Sequence, residues 1–239
     1  VRNNMLHSLE SLPSMAKLEC LLASDNGLTT VDASLGAHLS VLDLRRNPLS
    51  RAQLDTPAAC RLTMLDLSQA NLATLSESLF PALTSLTRLV LDGNQFVALP
   101  ENIDVLMQLE HLSVAGNMLH RLPDSLGALR HLRRLDAQNN NLRTLPLSLW
   151  HCAELYSINV SSNVLDSFPV PPGAADSRRE STVGNGSSVG RPDSADDSEV
   201  NGAASTAGAT SAAWPLCSCL MSLRMADNRL TDEIFSILT

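Results

Sequence analysis

Basic side chains stand at one fixed spacing in this chain. Arg88, His111 and Arg134 follow one another at steps of 23 residues, and Arg133 lies beside the last. An arginine offers a planar fork that grips a carboxylate with two bonds, so these four are candidate partner-binding residues. Other chemistry has less support. The six histidines (His7, His38, His111, His120, His131, His151) are scattered, with none at a metal-ligand spacing. Neither a G-x-S-x-G elbow nor a phosphate-binding loop is present. Cys217-x-Cys219 is too close for a zinc knuckle and lacks a partner pair. The expectation is a chain with no catalytic residue, metal site or cofactor of its own. Arg178-Arg179-Glu180-Ser181 has the R-R-x-S form that basophilic kinases accept, which makes Ser181 a candidate phosphorylation site.

The spacing of the basic residues belongs to a larger repeat. Leu86-x-x-Leu89-x-Leu91-x-x-Asn94-x-Phe96 recurs as Leu109-x-x-Leu112-x-Val114-x-x-Asn117-x-Leu119. It returns as Leu132-x-x-Leu135-x-Ala137-x-x-Asn140-x-Leu142 and Leu155-x-x-Ile158-x-Val160-x-x-Asn163-x-Leu165. Each unit closes on Leu99-Pro100, Leu122-Pro123, Leu145-Pro146 or Phe168-Pro169. This is the leucine-rich repeat pattern. Its L-x-L core has period two, so the leucines point to one side of a short strand. A single unit cannot bury that side, but stacked units make a continuous core. The asparagine turns inward after the strand, where its amide can bond backbone groups that the bend leaves unpaired.

The predicted fold is an α/β solenoid, curved, with a parallel concave sheet and short helices or turns on the convex side. Strands are expected near Leu42–Leu44, Leu65–Leu67, Leu89–Leu91, Leu112–Val114, Leu135–Ala137, Ile158–Val160 and Leu223–Met225. Segments such as 102–109 carry apolar residues three to four apart, which fits a short helix with the preceding proline at its first position. Non-leucine strand positions face away from the core. They form one column, Cys20, Val41, Met64, Arg88, His111, Arg134, Ser157, Ser222, and a second, Leu22, Asp43, Asp66, Val90, Ser113, Asp136, Asn159, Arg224. A basic zone on this sheet is therefore expected around Arg88, His111, Arg133 and Arg134, and an acidic one around Asp43 and Asp66.

Earlier repeats are less regular. Asn4, Asn26 and Asn47 hold the ladder position, but the next is Ala70, with Asn71 one residue late. The amide bonds there are expected to be lost or remade locally, leaving a weak point. Residues 1–170 thus read as leucine-rich repeats. Composition then breaks: from Pro171 to Ala212 there is no Leu, Ile, Phe, Tyr or Trp. Residues 171–213 are expected to be a disordered insert, because so polar a tract cannot offset its ordering entropy. The pattern resumes over 214–239 with Leu220-x-x-Leu223-x-Met225-x-x-Asn228-x-Leu230.

The chain is 44% hydrophobic but 3% aromatic, so leucine does the packing. A net charge of -8 with no basic run argues against nucleic acid. Five cysteines without clustered end frameworks favour a reducing compartment, hence a cytoplasmic location, while the sequons at Asn159 and Asn185 keep a secreted alternative open. No apolar run is long enough to span a bilayer, so any membrane contact is expected through partners. Both ends are expected to expose apolar repeat faces, as in a piece of a longer protein.

One narrower likeness lies around the insert. Ile158-Asn159-Val160-Ser161-Ser162-Asn163-Val164-Leu165, then Phe168-Pro169, a Ser-rich loop, and Ser222-Leu223-Arg224-Met225-Ala226-Asp227-Asn228-Arg229-Leu230-Thr231-Asp232 resemble the leucine-rich repeat region of fungal adenylate cyclases. That resemblance implies a parent that makes cyclic AMP from ATP in a separate magnesium- or manganese-dependent domain. It implies a Ras-like GTPase as partner of the repeats, with acidic effector residues that would meet Arg88, His111, Arg133 and Arg134. Phosphorylation of Ser181 by a cyclic-AMP-dependent kinase would then be feedback. A leucine-rich-repeat protein phosphatase and a non-enzymatic small-GTPase scaffold remain as alternatives.

Overall fold

The computed structural model describes residues 1–9, 17–30, 38–49, 61–76, 78–169 and 219–230. Eight three-residue strands form one sheet: β1 (Cys20–Leu22), β2 (Val41–Asp43), β3 (Met64–Asp66), β4 (Arg88–Val90), β5 (His111–Ser113), β6 (Arg134–Asp136), β7 (Ser157–Asn159) and β8 (Ser222–Arg224). All neighbours pair in parallel and in sequence order. The seven strands expected from the pattern each begin one residue earlier than the leucine spacing suggested. The ladder pairs the residue before the central leucine, whereas its last leucine already belongs to the bend toward the asparagine.

Central leucines stack in register, Leu42 on Leu65, Leu89, Leu112, Leu135 and Ile158. Leu65, Leu89, Leu112, Leu135 and Ile158 are wholly buried, with Leu42 nearly so. They share one continuous core with Leu86, Leu109, Leu132 and Leu155 from the strand entries. Across that core lie short 3₁₀ turns, Glu101–Val105, Asp124–Ala128 and Leu147–His151, each directly after Pro100, Pro123 or Pro146. These prolines occupy the position before the turn, not its first helical residue. Their ψ of 137–144° is extended and re-aims the chain from the ladder into the turn.

The asparagine ladder is realised bond for bond. Asn117 accepts from the Phe96 amide at 3.2 Å and donates to the Leu91, Val114 and Ala115 carbonyls at 3.0–3.2 Å. Asn140 and Asn163 repeat the arrangement one rung further along. At the odd rung the bonds are remade. The Leu49 amide turns to the Ala70 carbonyl at 3.1 Å, and Asn94 accepts from the amides of both Ala70 and Leu72 at 3.0 Å.

The ladder also continues past the long insertion. Asn228 donates to the Val160 and Met225 carbonyls and accepts from the Leu165 amide. The insert expected over 171–213, with Ser181 inside it, lies outside the described residues.

Each ladder position is preceded by a residue of left-handed backbone: Asn3, Asp25, Arg46, Gln69 (before Ala70), Gly93, Gly116, Asn139, Ser162 and Asp227. Glycine meets that demand at no steric cost, as Gly93 and Gly116 do, while Arg46 at φ 53° and Ser162 at φ 55° are held there by the stack.

Candidate interaction surface

Register decides which side chains meet on the exposed sheet face. Arg88 is the direct partner of His111, and His111 of Arg134, so the three form a row across β4, β5 and β6. Parallel strands lie about 4.8 Å apart, which sets the two arginines roughly 10 Å from each other with the imidazole between them. Arg88 and Arg134 are exposed and His111 is half-buried. Together with Thr87, Glu110 and Tyr156 they line an open hollow of about 320 Å³.

Arg133, expected in the same zone, is committed elsewhere. It stands just before β6, where it bonds Glu110 at 2.9 Å and Glu154 at 3.0 Å. Those carboxylates hold its guanidinium further from deprotonation than an ordinary arginine. Glu154 accepts from His131 as well, and its acidity rises through that bond and the one from Arg133. Arg133 also neutralises Glu110, which would otherwise oppose the charge of the hollow.

His111 differs from the expectation of a third positive charge. Partial burial and the two flanking arginines, Arg88 and Arg134, all disfavour its protonation, and Asp136 offsets this only in part. Its affinity for a proton is thus below the ordinary histidine value, so at neutral pH it is an uncharged hydrogen-bonding group. Sequence spacing placed it correctly, but its charge depends on neighbours two dozen residues away in either direction.

A second hollow of about 170 Å³ adjoins the first, lined by Arg134, Leu135, Asp136, Ser157, Asn159 and Arg224. Arg134 is common to both. The expected acidic zone is otherwise disposed: Asp43 and Asp66 are buried. Asp43 accepts from Arg2 at 2.9 Å, and Asp66 from the Ser68 amide. At the exit of β4, Asp92 accepts from the Ser113 hydroxyl and the Ala115 amide, yet burial still raises its pKa above the usual carboxylate value.

No group of three or more His, Cys, Asp or Glu is placed to hold a metal among the described residues. Cys152 is buried, and desolvation pushes its thiol up to about 12, which leaves it inert as a nucleophile. The amide of Asn159, in one of the two sequons, donates to Gln138 across the sheet at 3.0 Å. No helix among the described residues is long and apolar enough to cross a membrane.

Stacked parallel strands, an unbroken leucine core and a buried asparagine ladder define one class. The chain folds as a leucine-rich-repeat solenoid, and family models for leucine-rich repeats match residues 37–96 and 131–152. More narrowly, it carries a repeat region similar to a fungal adenylate cyclase. Over 107 residues it is 40% identical to "Adenylate cyclase" of Mycosarcoma maydis, a match that covers 45% of this chain and 4% of that protein. Solved structures share the solenoid. YopM from Yersinia enterocolitica is 30% identical with a TM-score of 0.52, over 72% of this chain and 39% of that one. The plant peptide hormone receptor RGFR1, solved in complex with RGF2, is 27% identical with a TM-score of 0.52, over 63% and 25%.

Proposed function

We propose that this solenoid is the docking region of a fungal-type adenylate cyclase and binds a Ras-like GTPase, so that cyclic AMP synthesis from ATP responds to that partner. The catalytic domain, with its magnesium or manganese, would lie outside these residues, in the cytoplasm or at a membrane reached through the partner. The similarity to a fungal cyclase supports the parent. The observation that carries the docking surface is the in-register row Arg88–His111–Arg134 on a rigid sheet. Among the described residues neither Arg88 nor Arg134 has a carboxylate partner, whereas Arg2, Arg45, Arg46, Arg121 and Arg133 each pair with one. Unpaired guanidinium groups at fixed spacing suit the acidic effector surface of a Ras-like protein. Arg133 contributes indirectly, by neutralising Glu110 beside the row.

Calorimetric titration with GTP-loaded Ras tests this reading. Arg134→Glu is expected to weaken binding more than tenfold, about 1.4 kcal/mol, with an unchanged circular-dichroism spectrum. Normal binding by both Arg88→Glu and Arg134→Glu would move the GTPase site off this sheet. Under the same reading, the cyclic-AMP-dependent kinase phosphorylates Ser181 as feedback, which phosphate mapping by mass spectrometry checks.

A further inference from the structure

The unpaired arginines of the sheet do not fall at random. Arg88 is on β4, Arg134 on β6 and Arg224 on β8, so they occupy alternate strands. All three are exposed, and among the described residues none makes a salt bridge. Two strand steps at about 4.8 Å set each successive pair roughly 9.6 Å apart in the direction across the strands. The two hollows join them into one track: Arg88, His111 and Arg134 share the first, and Arg134 and Arg224 share the second with Ser157 and Asn159. Arg224 is two residues further along its strand than Arg134, about 6.6 Å, so the track turns at Arg134 and its second step is about 12 Å.

A ligand on this track runs across the strands, where the sheet's backbone hydrogen bonds are already used between neighbours. It must satisfy its own backbone without the sheet. A polyproline II segment does so, because it has no internal hydrogen bonds and its backbone stays solvated. It also turns once every three residues and rises about 3.1 Å per residue, so every third side chain faces the same way at a repeat of about 9.3 Å. A β-strand would offer same-face side chains at roughly 6.7 Å, which matches neither one strand step nor two.

We propose that this sheet face binds an extended acidic peptide in the polyproline II form, with carboxylates three residues apart seated on Arg88 and Arg134, while Arg224 flanks the track beyond the second point. The neutral His111 and the hydroxyls of Tyr156 and Ser157 supply hydrogen bonds between the charged points. Glu110 does not oppose the ligand, since Arg133 holds it at 2.9 Å. Asp136 is the one carboxylate lining the track that has no cationic partner among the described residues, and it sets a local limit on affinity beside Arg134. This ligand uses the same row as the GTPase but stands without it: a linear segment can bind where a folded GTPase does not.

Fluorescence anisotropy with two labelled peptides of identical composition separates spacing from charge. One is Glu-Pro-Pro-Glu-Pro-Pro-Glu and the other Pro-Glu-Pro-Glu-Pro-Glu-Pro. The first is expected to bind at least fivefold tighter. Arg134→Gln and, independently, Arg88→Gln should abolish that preference, while Arg61→Gln, an exposed arginine off the track, keeps it. A preference under fivefold, or one that survives both Arg88→Gln and Arg134→Gln with unchanged circular dichroism, overturns the proposal. GTP-loaded Ras titrated in parallel keeps the two readings apart, because loss of Ras binding with the peptide preference intact sinks only the GTPase.

Discussion

The four repeats from Leu86 to Pro169 and the repeats before them use the same strand and ladder but differ in the sequence that follows the ladder. In the later group, Leu99-Pro100, Leu122-Pro123 and Leu145-Pro146 lead directly into stacked 3₁₀ turns. The earlier repeats lack that closure, and their ladder carries Ala70 in place of an asparagine. Even so, β1, β2 and β3 pair in the same register as β4 to β7. The sheet therefore depends on the L-x-x-L-x-L spacing and not on the proline that ends each later ladder segment. The proposed docking surface follows the same division, since the in-register basic row lies wholly among the later repeats.

The sharpest way to break the regular half is to disturb its turn stacking. A Cβ on Gly127 would sit 2.3 Å from the Ser148 carbonyl oxygen of the next turn, a backbone atom that cannot swing away. Gly127→Ala is expected to cost about 3 kcal/mol by overpacking, read from chemical denaturation. Gly116→Ala, at φ +65° but with nothing closer than 3.6 Å, should cost only about 1–2 kcal/mol, the price of a left-handed alanine. Equal losses at the two sites would remove the argument that turn stacking is tight.

Next in size is the ladder. Asn117→Ala leaves the Phe96 amide without its buried partner, while the Leu91 carbonyl keeps Asn94, an expected loss of about 1–3 kcal/mol. The reverse change at the odd rung sharpens the comparison. Ala70→Asn should not raise the denaturation midpoint, because the Leu49 amide already has the Ala70 carbonyl and the Leu67 carbonyl already has Asn94. A clear gain in stability from Ala70→Asn would show that the rung had been left incomplete.

The smallest effect concerns pH. With its proton affinity lowered in the folded state, His111 binds a proton more readily when unfolded. Its contribution to stability is therefore complete above the ordinary histidine range near 6.5 and is lost as pH falls below it. Arg88→Gln removes one of the two flanking charges and should make the acid side of the stability profile shallower, as should His111→Gln. Identical profiles for wild type and both variants would contradict the assigned cause.

Much of this molecule was legible in the sequence, because the repeat ties residue spacing to spatial register. Arg88, His111 and Arg134 meet on the sheet for the same reason that Asn94, Asn117 and Asn140 meet beneath it. What spacing could not show is pairing between side chains. Arg133 looks equivalent to Arg134 until Glu110 and Glu154 are seen on either side of it. The left-handed position before each asparagine was visible only where glycine fills it, since Arg46 and Ser162 carry no such signature. Trp150, which donates to the Pro169 carbonyl at 3.0 Å and meets the Phe168 ring edge-on, closes the last regular repeat through residues 18 and 19 positions away. Nothing in its local sequence announces that contact.

Under the proposed function, charge on the later strands, rather than charge on the chain as a whole, recruits the partner. That claim is tested most directly by titrating GTP-loaded Ras into wild type, the Arg88→Glu/Arg134→Glu double variant and Arg61→Glu, each at low and high salt. Arg61 is exposed and belongs to the earlier repeats, so its reversal makes the net charge of -8 still more negative without touching the row. The expected result is a loss of more than tenfold for the double variant, with Arg61→Glu close to wild type once salt screens the long-range repulsion. Equal weakening by Arg61→Glu and by the double variant at high salt would contradict the account, because position on the sheet would then make no difference.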